Sequence, residues 1–204
     1  MKKEEKYKNK YRSASARAQW WDYGWNAAYF VTICTKNRAH YFGDIQNRQM
    51  VRSHVGVLAD VLWHEIKHHA KFVELDAFVV MPNHVHGILV FNQSGNAAAN
   101  AVGTGHAVGT GHALSLRHAL SLRAHPNDQS PGQKRFRNQG KNTLSSVVGS
   151  YKSAVTKHAR RLGYEFAWQT RFYDHIIRNE ASFQRISTYI ENNVKNWNGD
   201  KFYE

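Results

Sequence analysis

Seven segments of the chain carry a regular pattern of apolar and polar residues. Four are rich in β-branched and aromatic residues, as is typical of strands: 29–35, 72–81, 84–91 and 171–177. Three have apolar residues at helical spacing: 53–70, 143–162 and 180–197. The order of these elements predicts an α+β fold in which helices flank an antiparallel sheet.

Each predicted helix has one apolar face, which we expect to pack on the sheet. Ser53 and Asn179 are suited to cap the first and third helices. The three faces are Val57, Val61, Ile66 and Ala70; Leu144, Val147, Val148, Tyr151, Val155, Ala159 and Leu162; and Phe183, Ile186, Ile190, Val194 and Trp197.

Two regions lack this pattern. Residues 1–26 begin with a polar, basic stretch, and we expect a basic N-terminal arm ahead of a single domain at 27–200. Residues 92–142 contain a six-residue unit that repeats, with changes, from Ala101 to Ala124. Low-complexity sequence cannot build a core, so we expect a flexible insertion in the domain.

The charge of the chain favours a polyanionic partner. The 28 Lys and Arg against 15 Asp and Glu give a net charge of +13, which suits nucleic acid or an anionic membrane surface. We expect no membrane span, because no apolar run approaches the ~18 residues that one requires. Cys34 is the only cysteine, which excludes an internal disulfide and fits a cytoplasmic protein.

Residues 129–164 contain eight Lys and Arg and no acidic residue. Because this basic stretch without acidic residues extends beyond the predicted helix, we favour contact with phosphates over a merely solvated surface. We take six basic residues as candidate DNA contacts: Lys152, Lys157, Arg160, Arg161, Arg171 and Arg178. The aromatic residues Trp20, Trp21, Tyr23 and Trp25 can stack on bases or cover the sheet edge, and we favour the second role.

Two histidines, His84 and His86, begin a predicted strand directly after the Pro82-Asn83 turn of a predicted hairpin. Alternate residues of a strand face the same side, so the two imidazoles project together. With a third ligand from elsewhere they can hold a divalent metal, although such a pair is a weak signal by itself. Gly87 leaves room for a close approach to the backbone.

One of the ten tyrosines lies at an unusual position. Tyr189 falls at the boundary of the apolar face of the last helix, and Asn193 lies one turn later on the same side. A phenol and a carboxamide therefore point toward one place. Helix geometry alone favours an ordinary amphipathic tyrosine with a solvated hydroxyl.

Several separated motifs resemble those of the REP-associated tyrosine transposases, a group of HUH single-strand transposases. His84-Val85-His86 resembles the HUH motif itself. The wider matching segments are 77–86, Trp168-Gln169 with 172–179, and 189–195. Their order and spacing match the family over 27–91 and 143–197, whereas Val194 stands where the family has proline.

This resemblance implies a ferredoxin-like or RRM-like HUH transposase fold and a metal-dependent single-strand DNA transposase. Tyr189 matches the catalytic tyrosine, His84 and His86 match the metal ligands, and Asn193 matches a residue that supplies a third ligand. The implied metal is Mg²⁺ or Mn²⁺, and the implied partner is single-stranded or hairpin DNA. We expect a cytoplasmic, nucleoid-associated monomer or homodimer.

The implied reaction cleaves and rejoins single-stranded DNA near palindromic hairpins through a 5′-phosphotyrosine. A free tyrosine has a pKa of about 10, so it is mostly protonated at neutral pH. A cation beside the tyrosine would lower that pKa and favour the phenolate. His175 can assist the site or serve only the structure.

Other functions stay open at the level of sequence. A domesticated protein with this fold can bind hairpins without cutting them. An HUH replication initiator or relaxase uses related chemistry, although a tyrosine that follows the histidine pair fits transposases better. A histidine-triad hydrolase would need another histidine where the chain has Ile88.

Overall fold

The computed structural model describes residues 21–93 and 140–203. The predictions for the N-terminal arm up to residue 20 and for most of the repeat insertion therefore lie outside the described residues. Residues 93 and 142, on either side of the segment 94–139 that is not described, lie close together: Gln93 Nε2 donates to the Asn142 carbonyl at 3.3 Å. Among the described residues, no helix has the length and apolar character that a bilayer span requires.

Four strands form an antiparallel sheet, as predicted: β1 (Ala27–Cys34), β4 (Val73–Met81), β5 (His84–Phe91) and β6 (Tyr173–Ile177). Their spatial order is β4-β5-β1-β6, with β1 paired to both β5 and β6. The predicted hairpin is confirmed, since Met81 pairs with His84 across the Pro82-Asn83 turn. The architecture is α+β, with an antiparallel sheet flanked by helices, as predicted.

A second, two-stranded sheet was not predicted from the sequence. It consists of β2 (Gly43–Gln46) and β3 (Gln49–Arg52), joined at Asn47 and Arg48. Both of these turn residues have positive φ, 52° and 61°, as a two-residue hairpin turn of type I′ requires. Strands of four mostly polar residues give too short an alternation to be recognised.

Four α-helices are present in the described chain: α1 (His54–His64), α2 (Ile66–His69), α3 (Leu144–Arg161) and α4 (Glu180–Asn192). Both predicted caps are confirmed: Ser53 Oγ accepts from the Gly56 N–H, and Asn179 Oδ1 accepts from the Ser182 N–H. The first predicted helix is in fact two helices. The third ends at Asn192 rather than 197 and is followed by a 3₁₀ turn, Trp197–Gly199.

Three residues assigned to apolar helix faces are exposed instead. Val57 and Val61 of α1 are 49% and 52% exposed, and Leu162 after α3 is 61% exposed. Helix α1 has apolar residues on several sides, and it turns the side with Trp63 toward the sheet. That orientation buries the largest side chain of the helix. The apolar area that Trp63 removes from water is greater than the area that the two valines leave exposed.

Helices α1, α2 and α3 cover one face of the sheet and enclose the main core. Trp63 stacks on Phe78 with ring centroids 4.5 Å apart, and its indole fills the space over Gly87. A Cβ at Gly87 would overlap that indole, so the room beside Gly87 belongs to the core and not to a binding site. Tyr151 is a core residue as expected, with its hydroxyl donating to the Ala59 carbonyl.

Helix α4 covers the opposite face, where a smaller apolar cluster fills one half. This cluster contains Ala28, Ile88, Val90, Ile177, Phe183 and Ile190. The other half of the same face carries the two histidines of β5, which precede Ile88 and Val90 in the alternation.

Residues outside the expected domain bounds of 27–200 also pack on the fold. Trp21 Nε1 donates to the Tyr29 hydroxyl at 3.0 Å, and the Tyr23 ring stacks on Tyr29. Both contacts are with the inner strand β1, and the two rings pack against the main core, so the expected role at the sheet edge stays a prediction. At the other end, Phe202 packs on His84, so the folded unit includes residues on both sides of the expected bounds.

Candidate active site

Two buried imidazoles form the centre of the site. His84 and His86 are 0% and 1% exposed, and their Nε2 atoms lie 3.0 Å apart. They share one face because β5 alternates, with Val85 directed into the main core on the other side.

Each imidazole is held at its other ring nitrogen by a neighbouring polar side chain. His84 Nδ1 lies 2.8 Å from Asn83 Oδ1, and His86 Nδ1 lies 2.8 Å from Thr32 Oγ1. Thr32 faces His86 directly across the β1–β5 pair, so the sheet register creates the second contact.

Both imidazoles are neutral at neutral pH. Burial, together with the nearby charges of Lys201 and Arg38, lowers the pKa of His84 to about 3. Burial and the proximity of His84 also lower the pKa of His86 well below its usual value. A neutral imidazole can offer a ring-nitrogen lone pair, which is what a metal ligand requires.

Helix α4 brings the candidate nucleophile to the same place. The Tyr189 hydroxyl lies 3.2 Å from His86 Nε2 and donates to Asp200 Oδ2 at 3.3 Å. The ring is 41% exposed, which matches its expected position at the edge of the apolar face. Burial and the Asp200 carboxylate raise the pKa of Tyr189 to about 12.

Asp200 is a site residue that the sequence analysis missed. Its carboxylate groups with His84 and His86, and their potential ligand atoms lie within 4.8 Å of one another. The residue follows the short 3₁₀ turn after α4, where no periodic pattern points to it. No signal in one sequence distinguishes it from any other acidic residue near a chain end.

Asn193, one turn after Tyr189, also reaches this cluster. Its side chain is buried, and its Nδ2 donates to Asp200 Oδ2 at 3.0 Å. Its Oδ1 has no hydrogen-bond partner within the part of the chain that the structure describes. A buried carbonyl oxygen without a partner is costly, and a cation is one group that would satisfy it.

The donor set fits a divalent cation. Two imidazole nitrogens on an octahedral ion at ~2.1 Å lie about 3 Å apart, close to the observed separation of 3.0 Å. Asp200 and Asn193 add oxygen donors, which Mg²⁺ and Mn²⁺ favour. The residues present can therefore hold such an ion.

Aromatic and basic groups enclose the cluster on its outer side. The Phe202 ring lies 4.5 Å from that of His84, and Lys201 Nζ and Arg38 Cζ lie over Phe202 at 4.9 and 5.4 Å. These two cations were not among the candidates selected from the sequence. They place positive charge beside the imidazoles.

The six basic candidates for DNA contact do not form one surface patch around the site. Lys157 and Arg160 are exposed and line, together with Lys152, a groove of about 510 Å³ beside Trp168. The Lys152 ammonium is already bound to the carbonyls of Gln169 and Thr170. The remaining three, Arg161, Arg171 and Arg178, are exposed but do not line this groove.

His175 and Tyr173 lie on the site's face of the edge strand β6. His175 pairs with Phe30 and Tyr173 with Thr32, and both side chains are exposed. The Tyr173 ring packs edge-on to Phe30, as does the ring of Tyr189. Tyr173 is therefore a second tyrosine near the site and a natural control for Tyr189.

Comparisons with known proteins give a family for the chain and a known fold for the structure. No family model matches the chain. An uncharacterised protein of Haemophilus influenzae is 33% identical over 190 residues, which cover 93% of this chain and 92% of that protein. A structure of a REP-associated tyrosine transposase bound to a REP hairpin aligns with a TM-score of 0.53 at 16% identity, over 93% of this chain and 77% of the other. The chain thus belongs to the family of the Haemophilus protein, and its fold is that of a REP-associated tyrosine transposase.

Proposed function

We propose that this protein is a metal-dependent transposase that cleaves and rejoins single-stranded DNA at palindromic hairpins, with Tyr189 as nucleophile. One observation carries the proposal: the Tyr189 hydroxyl lies 3.2 Å from Nε2 of His86, one of two buried neutral imidazoles, and 3.3 Å from the Asp200 carboxylate. The fold shared with a hairpin-bound transposase supports the same function.

The reaction begins with attack of the Tyr189 oxygen on a DNA phosphorus. The new P–O bond to tyrosine forms as the P–O3′ bond breaks, which leaves a 5′-phosphotyrosine and a 3′-oxygen that takes up a proton. Attack by a 3′-hydroxyl on the phosphotyrosine reverses the step and rejoins a strand. The energy of the ester is conserved, so no nucleotide cofactor is required.

The phenol must lose its proton for this attack. With a pKa of about 12, Tyr189 is protonated at neutral pH. The Asp200 carboxylate already accepts the phenolic hydrogen bond and can take the proton as the P–O bond forms. Asp200 is therefore either the base for Tyr189 or, with His84 and His86, a ligand of the cation.

His84 and His86 would hold the cation, with Asp200 or Asn193 completing the protein ligands. Bound there, Mg²⁺ or Mn²⁺ would polarise the phosphodiester and favour the phenolate form of the tyrosine. The imidazoles themselves need no change of charge for this role, because both are neutral at neutral pH.

We propose that Arg38, Lys201 and the basic groove at Lys157 and Arg160 contact the DNA backbone. The first two lie beside the site, and the groove offers exposed cations on α3. Hairpin DNA is proposed as the partner because the similar structure was solved with a REP hairpin. A steep loss of affinity with salt would follow from such contacts.

The experiment is a strand-cleavage assay on hairpin oligonucleotides labelled at either end, with Mn²⁺. We expect cleavage by the wild type, loss of cleavage below detection in Tyr189→Phe, and near wild-type cleavage in Tyr173→Phe. Binding of the same hairpins is measured in parallel. Binding without cleavage in the wild type, under Mg²⁺ and Mn²⁺, would instead identify a non-cutting hairpin-binding protein.

A further inference from the structure

We propose that Asn83 and Thr32 are positioning residues behind the two site imidazoles. Asn83 fixes the proton of His84 on Nδ1, and Thr32 keeps Nδ1 of His86 paired in either tautomer. Asn83 also ties the segment that carries Asp200 to His84. The inference rests on the proposed function where it takes the histidines as metal ligands. The assignment of protons, however, follows from the hydrogen bonds alone.

The orientation of the Asn83 carboxamide is determined by its second contact. Asn83 Nδ2 lies 2.9 Å from the Phe202 carbonyl oxygen, which can only accept, so the amide nitrogen must face that carbonyl. The carboxamide oxygen then faces His84 Nδ1 at 2.8 Å. Because that oxygen also only accepts, His84 carries its proton on Nδ1 and keeps a lone pair on Nε2.

The proton of His86 follows from that of His84. The two Nε2 atoms are at hydrogen-bond distance, 3.0 Å, and the His84 atom is an acceptor. His86 therefore donates from Nε2, and its Nδ1 accepts from the Thr32 hydroxyl. A cation that takes both Nε2 lone pairs requires the opposite tautomer of His86, with the proton on Nδ1.

Thr32 suits both states of His86. Its hydroxyl can donate to an unprotonated Nδ1, and it can equally accept from a protonated Nδ1 after rotation of the O–H bond. Thr32 is 3% exposed, so no bulk solvent would replace this partner. The Val31 carbonyl also bonds the His86 ring, but it can only accept, so an unprotonated Nδ1 depends on the Thr32 hydroxyl. The residue thus lets the imidazole change tautomer without leaving a buried nitrogen unpaired.

Asn83 extends the same control to the chain end. The Phe202 carbonyl that it binds lies two residues beyond Asp200, and the Phe202 N–H donates to Asp200 Oδ1 at 2.8 Å. One buried carboxamide thereby joins His84 to the segment that supplies the carboxylate. Asn83 lies 1% exposed in the hairpin turn, and its carboxamide is bound to His84 and Phe202.

The first test reads the protons directly in metal-free protein with ¹⁵N-labelled histidine. Long-range ¹H–¹⁵N spectra at neutral pH should show His84 as the Nδ1–H tautomer and His86 as the Nε2–H tautomer. Addition of Mg²⁺ should move the His86 proton to Nδ1 and leave His84 unchanged. A His84 protonated at Nε2 in the wild type would overturn the inference.

The second test uses matched variants with Mn²⁺ affinity measured by electron paramagnetic resonance. Thr32→Val and Asn83→Ala should each weaken binding roughly 10–100-fold, as loss of a partner behind a ligating histidine does. Thr32→Ser keeps the hydroxyl and should bind within about 3-fold of the wild type. Equal affinity of Thr32→Val and Thr32→Ser, with both proteins folded, would contradict a positioning role for Thr32.

Asn83→Asp separates the two contacts of the carboxamide. A carboxylate still accepts from His84 Nδ1 but cannot donate to Phe202, so the tautomer should persist while the chain end loosens. Hydrogen exchange of the Phe202 amide should rise at least about 10-fold, and unchanged exchange would overturn the tie to the chain end. If the wild type binds no Mn²⁺, the proposed function fails, while the spectra and this exchange still decide the inference.

Discussion

The two faces of strand β5 are equally buried but are built on opposite principles. On one face Trp63 fills the space over Gly87, and the Trp63 atoms that meet Gly87 are all ring carbons. On the other, His84 and His86 are enclosed just as tightly, but each is paired with a polar side chain. Burial alone therefore does not separate core from site in this protein.

The difference lies in what burial does to each face. Apolar burial on the Trp63 side stabilises the fold. Burial on the histidine side costs free energy, because two imidazoles lose their hydration, and that cost is recovered only through specific partners. We infer that the first face serves stability and the second face serves chemistry. Substitutions on the Trp63 face should therefore lower stability, whereas substitutions on the histidine face should lower activity.

The largest effect is expected from His84→Ala and His86→Ala. Loss of a metal ligand should slow strand cleavage by roughly 10³-fold or more, since the cation supplies several kcal/mol of stabilisation. Hairpin affinity should stay within about 3-fold, because backbone contacts carry it. His175→Ala, on the same face but exposed, is the control. Parallel loss of binding and cleavage would assign the histidine pair a structural role.

The opposite face should respond through stability. Trp63→Ala is expected to lower the free energy of unfolding by about 3–5 kcal/mol, the usual cost of removing a large buried aromatic ring. Gly87→Ala should cost about 1–3 kcal/mol, because the new methyl overlaps the Trp63 indole. In the Trp63→Ala background the cost of Gly87→Ala should largely disappear. Denaturant unfolding of the four proteins measures this cycle, and additive costs would show that the indole is not what fills this space.

Acid should weaken the fold through the histidine face. The folded protein holds the pKa of His84 at about 3, against 6.5 for an ordinary histidine. Between pH 6.5 and about pH 3, His84 binds a proton in the unfolded chain but not in the folded protein. Stability is therefore complete above pH 6.5 and declines toward pH 3, by up to about 1.4 kcal/mol per pH unit.

The pH effect is isolated by comparing unfolding free energies of the wild type and His84→Gln between pH 7 and 4.5. Carboxyl groups titrate in both proteins, so the difference in slope reports His84. The slope should be shallower in the variant. Identical slopes would mean that the imidazole is not held neutral by the fold.

The smallest effect is expected in the groove on α3. Lys157→Ala and Arg160→Ala should each weaken hairpin binding a few-fold and reduce the slope of log affinity against log salt by about 0.7–0.9. Arg161→Ala, outside the groove, is the matched control. Equal effects of all three substitutions would mean diffuse attraction rather than contact in the groove.

Local sequence patterns predicted the parts of the molecule that depend on near neighbours. The hairpin at Pro82-Asn83, the shared face of His84 and His86, and the caps at Ser53 and Asn179 each depend on a few consecutive residues. The choice of Tyr189 required the resemblance to a transposase family, because its helix position alone favoured an ordinary tyrosine.

The parts that escaped prediction depend on distant contacts. Asn83 and Phe202 are 119 residues apart, and Thr32 meets His86 only through the register of the sheet. Asp200 follows a short 3₁₀ turn, and α1 turns its Trp63 side inward because of what lies beneath it. A hydrophobic pattern reports which residues are apolar, but not which of several apolar sides the tertiary fold will bury.

Covalent capture tests the central claim most directly. The protein is incubated with a hairpin oligonucleotide and Mn²⁺, denatured and digested, and the DNA-linked peptide is sequenced by mass spectrometry. The account predicts a single link, a 5′-phosphate on Tyr189, together with a free 3′-hydroxyl on the released strand. A link to another residue such as Tyr173, or cleavage that leaves no protein–DNA adduct, would contradict it.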